Sequence, residues 1–235
     1  MNIKRFIGKC RKGLDIINLK AIPSYSFLGD DLIVNYLFNS LGIEKPTYLE
    51  IGTNDPIVGN NTYLFYSKGC KGVCIEPNIA FYKEITKKRP RDIVLNIGIG
   101  FSDNDSAIFY VFPNQFNGWN TFSEKDARKK ELESGSKASE VIVPLKTINE
   151  IITKHFAEST PNFISLDAEG VDLDILQSLD FYRFQPDVIC VETLSFSTKN
   201  LGEKSRDIID FVQSKGYFIY ADTHVNTIFC RTGLF

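Results

Sequence analysis

Short apolar runs alternate with amphipathic stretches along most of the chain. The runs at 48–51, 72–76, 92–99, 163–167 and 187–192 carry few polar interruptions, the pattern of strands buried on both faces. Between the first three, 61–69 and 78–88 place apolar residues at helical spacing, and the first of these stretches closes on Gly69. Strand, helix, strand, helix, strand at these lengths predicts βαβ units in a parallel sheet. Leu32, Ile33, Tyr36, Leu37 and Leu41 form one stripe and predict a helix over 30–41. Other helices are predicted over 146–156 and 207–216, and where Asp172, Leu173, Ile175, Leu176 and Leu179 recur. The runs at 107–112 and 140–145 predict two more strands. They flank a polar loop, 113–139, that holds Asn117, Trp119 and Asn120; so long a connection points to function. The last two runs, 217–222 and 226–231, are joined by a turn too short for a crossover and predict an antiparallel hairpin.

The first residues follow a different pattern. Ile3, Phe6, Ile7, Cys10, Leu14 and Ile17 recur at helical spacing, and Lys4, Arg5, Lys9, Arg11 and Lys12 fill the gaps. Such a basic amphipathic helix suits docking on its own domain or on a partner subunit, or peripheral contact with an anionic membrane. Residues 1–42 therefore read as an N-terminal helical segment. Residues 43–235 read as one α/β domain with a lid-like insertion at 113–139, and 235 residues suit one such domain. No run approaches the ~18 consecutive apolar residues of a membrane span, and the N-terminus lacks the apolar core of a signal peptide.

Charge and cysteines narrow the class. A net charge of -2 asks for no nucleic-acid partner. The five cysteines, Cys10, Cys70, Cys74, Cys190 and Cys230, contain no CxxC, and no His or Cys lies near Cys70 and Cys74 to complete a zinc site. Cys74, Cys190 and Cys230 lie in apolar runs and read as buried, reduced thiols, which points to the cytoplasm. A homo-oligomer is compatible with the sequence.

The chemistry concentrates at strand ends. The first strand runs into Glu50-Ile51-Gly52-Thr53-Asn54-Asp55, an acid and a glycine turn at the edge where open α/β sheets bind nucleotide-like ligands. Gly52 lets the backbone approach a ligand closely. A dinucleotide pyrophosphate wants three glycines and no acid here. One glycine with two acids suits a cationic ligand, and Glu50 is placed to pair with the ammonium of S-adenosylmethionine. Glu76 ends the second strand, twenty-four residues after Gly52, where an acid accepts ribose hydroxyls. The competing reading makes Glu76 a helix N-terminal charge, with Pro77 starting the next helix. Asn96 and Gly98 end the third strand and face the adenine in this sheet order. Asp167-Ala168-Glu169-Gly170-Val171-Asp172 ends a later strand. A carboxylate there takes a hydroxyl proton, directly or through a metal, while Asp172 is also a helix-capping residue. Glu192 ends the next strand and is expected beside Asp167. His155 reads as a surface residue, and His224, in the terminal turn, as a second candidate base.

In order along one chain, 48–56, 61–78, 143–149, 163–176 and 226–231 resemble the FkbM family of methyltransferases. The segment 26–33 resembles the family's Gly-Glu-Asp motif, with Asp30 in place of Glu. That resemblance implies a class I methyltransferase fold: a Rossmann-like, seven-stranded, mostly parallel sheet with an antiparallel C-terminal hairpin. It also implies O-methylation with S-adenosyl-L-methionine, and Asp31 helping to close the cofactor pocket. The subset this chain looks like modifies glycans, which makes a sugar hydroxyl in surface-glycan synthesis the preferred acceptor. A polyketide or other small molecule is the alternative, as is a non-catalytic nucleotide-binding domain. Glu50 replaces the common Asp of the family and Asp172 shortens its usual Glu. The expected cofactor set is Asp31, Glu50, Gly52, Thr53, Asn54, Asp55, Glu76, Pro77, Asn96 and Gly98. The expected acceptor-side set is Asp167, Glu169 and Glu192, with Trp119 of the insertion covering the sugar. Asp167, Glu169 and Glu192 are hard oxygen donors, which leaves a divalent metal open.

Overall fold

The computed structural model describes residues 21–101, 104–113, 118–157, 159–168, 170–194 and 202–235. The predicted N-terminal helix lies outside them. The elements, in chain order, are α1 (Asp30–Ser40), β1 (Tyr48–Ile51), α2 (Tyr63–Ser67), β2 (Gly72–Ile75), α3 (Ile79–Lys88), β3 (Ile93–Leu95), β4 (Gly98–Gly100), β5 (Ser106–Val111), α4 (Glu124–Ser134), β6 (Ser139–Thr147), α5 (Ile148–His155), β7 (Phe163–Leu166), α6 (Asp172–Ser178), β8 (Val188–Glu192), α7 (Arg206–Ser214), β9 (Tyr217–Asp222) and β10 (Asn226–Arg231).

Seven strands form one sheet in the order β3-β2-β1-β7-β8-β10-β9. The first five pair in parallel, and β10 runs antiparallel to both β8 and β9. This is the expected class I methyltransferase sheet. Its strand order reverses at β1, and the carboxyl ends of β1, β2 and β7 therefore share one edge, the usual place for a ligand in an open α/β sheet.

Each face of the sheet has its own apolar layer. On one face Leu49, Ile51, Ile75, Leu166 and Val191 pack against α5, α6 and α7. On the other, Val34, Leu37 and Phe38 of α1 pack with Phe65, Phe163 and Ile228. Phe38, Phe65 and Phe163 meet edge to face, with centroids 5.7, 5.8 and 6.3 Å apart. Each contributes about 1.5–3 kcal/mol by burial. Helix α1 thus belongs to the core of the sheet domain.

Two departures from the sequence pattern shape the cleft. The run at 92–99 is two strands: Asn96 Nδ2 donates to the carbonyls of Glu76 and Pro77, both at 2.8 Å. The chain leaves the main sheet there, and Gly98–Gly100 pairs in parallel with β6 in a separate sheet of order β4-β6-β5. Within the segment read as a polar loop, Glu124–Ser134 is a helix, capped by the Ser123 hydroxyl on the Asp126 amide (3.2 Å) and closed by Gly135 at φ +66°.

Candidate active site

The turn after β1 is built against its neighbours' backbones. Gly52 has φ +80°, and a Cβ there would lie 1.9 Å from the carbonyl oxygen of Asp167. Gly52 is therefore required by the close passage of the β7 end as well as by its left-handed backbone. The amides of Gly52 and Thr53 donate to the Ile75 carbonyl at 3.1 and 3.2 Å. Asn54, at φ +52°, donates its amide to Glu76 Oε2 at 2.8 Å. Gly52, Thr53 and Asn54 thereby stitch together the ends of β1, β2 and β7.

Glu76 is nearly buried, and its other oxygen accepts from the Asn78 amide at 2.8 Å. Burial pushes its carboxyl up to about 7, against the opposing pull of those two amide bonds. The carboxylate meets the N-cap of α3, as the helix reading has it, and it also lines the cleft, as the ribose reading requires.

That cleft holds ≈ 640 Å³, part of it open to solvent. Gly52, Asn54, Glu76, Pro77, Gly98 and Asp167 of the expected set line it. Its apolar wall includes Phe81, Phe109 and Phe122, and the last two rings lie 4.6 Å apart. Gly98 makes room for this wall, because a Cβ there would meet the Phe122 ring at 2.4 Å. The insertion reaches the cleft through Gly118, Asn120 and Phe122. Trp119, expected to cover the acceptor, packs against Phe112 at 6.2 Å, and its carbonyl accepts from Lys130 Nζ. Among the described residues of the insertion, Phe122 is the aromatic one that lines the cleft.

Among the described residues, the other expected ones do not line this cleft. Glu50 faces the opposite side of the sheet, in register with Cys74 and Ser165. Its Oε2 accepts from Asn60 Nδ2 at 3.0 Å and from Arg89 Nη1 at 3.1 Å. Sequence reasoning missed Arg89, which is completely buried. Its guanidinium also binds Asp92 (2.7 Å), Asn60 Oδ1 (3.1 Å) and Thr62 (2.7 Å) and lies 5.4–5.5 Å from the rings of Tyr48 and Tyr66. Burial raises the Glu50 carboxyl even so. Asn60 Nδ2 in turn reaches the carbonyls of Thr53 and Asp55, at 3.3 and 3.2 Å. Glu50 and Arg89 therefore anchor the loop whose near side lines the cleft.

Thr53 is buried with its hydroxyl on the Ile75 carbonyl. Asp55 accepts the amides of Ile57 and Val58, both at 2.8 Å, and so turns the loop. Asp31 accepts from Ser24, Tyr25, Ser26 and its neighbour Leu32, which folds the segment before α1.

On the acceptor side, Asp167 is solvent-exposed on the cleft wall at the end of β7. Asp172 is buried and accepts the amides of Ala168 (2.8 Å) and Gly170 (3.2 Å), which fixes the loop after Asp167. Gly170 has φ +101°, and a Cβ there would meet Asp126 of α4 at 2.6 Å, so the insertion reaches this loop too. Glu169 lies outside the described residues. Glu192 ends β8 opposite Asn226. His224 sits in the β9–β10 turn at φ +75° with its amide on Asp222. His155 ends α5, is partly buried, and burial lowers its pKa. Among the described residues, no group of three His, Cys, Asp or Glu is placed to hold a metal ion, and no helix is long and apolar enough to cross a membrane.

Residues 50–219 match the methyltransferase FkbM domain. The chain belongs to that family. It is an S-adenosylmethionine-dependent methyltransferase with the class I sheet. Solved structures similar to this FkbM methyltransferase include a putative caffeoyl-CoA O-methyltransferase from Staphylococcus aureus, at 12% identity and TM-score 0.46, with 96% of this chain and 91% of that one covered. An O-methyltransferase from Bacillus cereus in complex with SAH is similar at 13% identity and TM-score 0.41, with 93% and 87% covered. A TehB-like methyltransferase from Corynebacterium glutamicum is similar at 7% identity and TM-score 0.43, with 97% of each chain covered. No curated protein matches the sequence.

Proposed function

We infer that this FkbM methyltransferase methylates a hydroxyl oxygen, and that the hydroxyl belongs to a sugar of a surface glycan. The observation that carries the oxygen assignment is Asp167, an exposed carboxylate on the cleft wall whose backbone packs on the Gly52 turn. The sugar assignment rests on the likeness of residues 61–66, in a short single-domain chain, to glycan-modifying members of the family.

The cleft suits S-adenosylmethionine. Glu76 presents a buried carboxylate to accept ribose hydroxyls, and the aromatic and aliphatic wall around Phe81 and Phe122 suits a flat base. Gly52 and Asn54 contribute backbone to the same wall. Bound there, S-adenosylmethionine supplies an electrophilic methyl on a sulfonium. Asp167 would take the acceptor's proton as the oxygen bonds to the methyl carbon and that carbon's bond to sulfur breaks, leaving S-adenosylhomocysteine, because a sugar alcohol is hardly ionised at pH 7. Glu50 acts at one remove, through Asn60 and the loop. Among the described residues, four buried thiols outside any disulfide suit a reducing compartment for this work.

The test is Asp167→Asn. General-base removal lowers kcat by roughly 10²–10⁴, while affinity for S-adenosylhomocysteine stays within about twofold of the parent. Unchanged turnover would remove Asp167 from the chemistry. Mass spectrometry of host glycans with and without the protein reads the acceptor, and a loss confined to non-carbohydrate methyl groups would contradict the sugar assignment.

A further inference from the structure

Asn120 enters the cleft from the insertion with one end of its side-chain amide unpaired. Its oxygen accepts from the Phe112 amide at 2.9 Å. A backbone N–H can only donate, so this bond settles which end of the amide is oxygen and turns the –NH2 the other way. Among the described residues that nitrogen has no hydrogen-bond partner. Yet Asn120 is only 9% exposed. Among the described residues, Arg231 Nε is the one side-chain nitrogen or oxygen that is both wholly buried and unbonded. The Asn120 nitrogen therefore keeps access to open space, and the space that Asn120 lines is the cleft. A donor in so closed a place is costly once a ligand displaces its water, unless the ligand accepts from it.

The course of the segment decides which part of a ligand the amide meets. Thr121, between Asn120 and Phe122, exchanges both backbone hydrogen bonds with Tyr110 of β5, at 2.9 and 3.2 Å. Asn120 and Phe122 flank it and share the cleft side. Phe122 lies on Gly98 and against the Phe109 ring. A flat base laid on Phe122 turns an edge toward Asn120.

We propose that Asn120 is a cofactor-recognition residue whose side-chain –NH2 donates to a ring nitrogen of the adenine of S-adenosylmethionine. The proposal rests on the reading of this cleft as the cofactor site. Adenine offers N1, N3 and N7 as acceptors. The sulfonium and the ammonium are cationic and repel an N–H donor, and the ribose hydroxyls are met by Glu76. The Phe112 bond ties Asn120 to β5, so the insertion reads the base from a fixed strand.

Calorimetry with S-adenosylhomocysteine and its 1-deaza, 3-deaza and 7-deaza analogues tests this. In each analogue a C–H replaces one ring nitrogen. The parent protein binds one of them about tenfold more weakly than S-adenosylhomocysteine. Asn120→Asp keeps an oxygen for the Phe112 amide and removes the –NH2. It binds S-adenosylhomocysteine about tenfold more weakly than the parent does, with an unchanged circular dichroism spectrum. It also binds that same analogue and S-adenosylhomocysteine within about twofold of each other. Equal affinity of the parent for all three analogues and S-adenosylhomocysteine overturns the proposal without any variant. A variant that keeps the parent's sensitivity to the analogue overturns it as well. A loss on Asn120→Asp that spares 5′-methylthioadenosine assigns the donor to the cofactor's carboxylate instead. Glu76→Gln separates the two levels of the account. If only Glu76→Gln weakens S-adenosylhomocysteine binding, the cofactor site stands and the Asn120 assignment falls. If neither variant weakens it, the cleft is not the cofactor site and both fall.

Discussion

Glu76 makes the cleft measurable without a substrate. Burial lifts its carboxyl from 4.5 to about 7. A carboxyl raised in the fold favours folding in its neutral form. Its contribution is complete below about pH 4.5 and is lost as pH rises through 7. Integrated between pH 5 and pH 8, at 1.36 kcal/mol per pH unit, the loss is about 2–3 kcal/mol. Glu76→Gln removes the titration but sets an amide group against one of the two backbone N–H donors of Asn54 and Asn78, a penalty of about 1–3 kcal/mol at every pH. Urea unfolding of both proteins at pH 5, 6, 7 and 8 separates the two effects. The variant is the less stable at pH 5, and its deficit closes by about 2–3 kcal/mol by pH 8. A deficit constant to within about 0.5 kcal/mol across the range would refute the buried-carboxyl account.

Two further substitutions probe the frame of the site. Gly52→Ala puts a Cβ 1.9 Å from the Asp167 carbonyl in a left-handed backbone, and should cost about 2–4 kcal/mol in urea unfolding and weaken S-adenosylhomocysteine binding at least about tenfold. Arg89→Met leaves the buried Glu50 and Asp92 carboxylates without their counter-ion and should cost about 3–5 kcal/mol. Adding Glu50→Gln restores part of that loss, whereas a single-variant cost below about 1 kcal/mol would mean that the cluster carries little stability.

The sequence showed some of these parts and hid others for identifiable reasons. β1, β2, β7 and β8 are buried on nearly every residue, so continuous apolar runs reveal them. The break within 92–99 is hidden because it depends on the Asn96 side chain binding carbonyls twenty residues earlier. Helix α4 buries only Ala127 and Lys130, and therefore lacks the apolar stripe that marks α1; its Ser123 and Gly135 caps were its only local signal. Glu76 and Asp167 stand out as acids at strand ends, and both reach the cleft. Glu50 carries the same local signal and faces the other way. Its partner Arg89 follows Lys87 and Lys88 and has the look of a solvated helix end, and nothing nearby in sequence announces a buried cation. The side of a strand an acid faces is set by register, and its partners by the tertiary path.

A crystal structure with S-adenosylhomocysteine tests the central claim most directly. The account predicts both ribose hydroxyls on the Glu76 carboxylate, the base against the Phe81 and Phe122 wall, and the sulfur turned toward Asp167. A ligand bound away from Glu76, or with its sulfur on the far side of the cleft from Asp167, would contradict it.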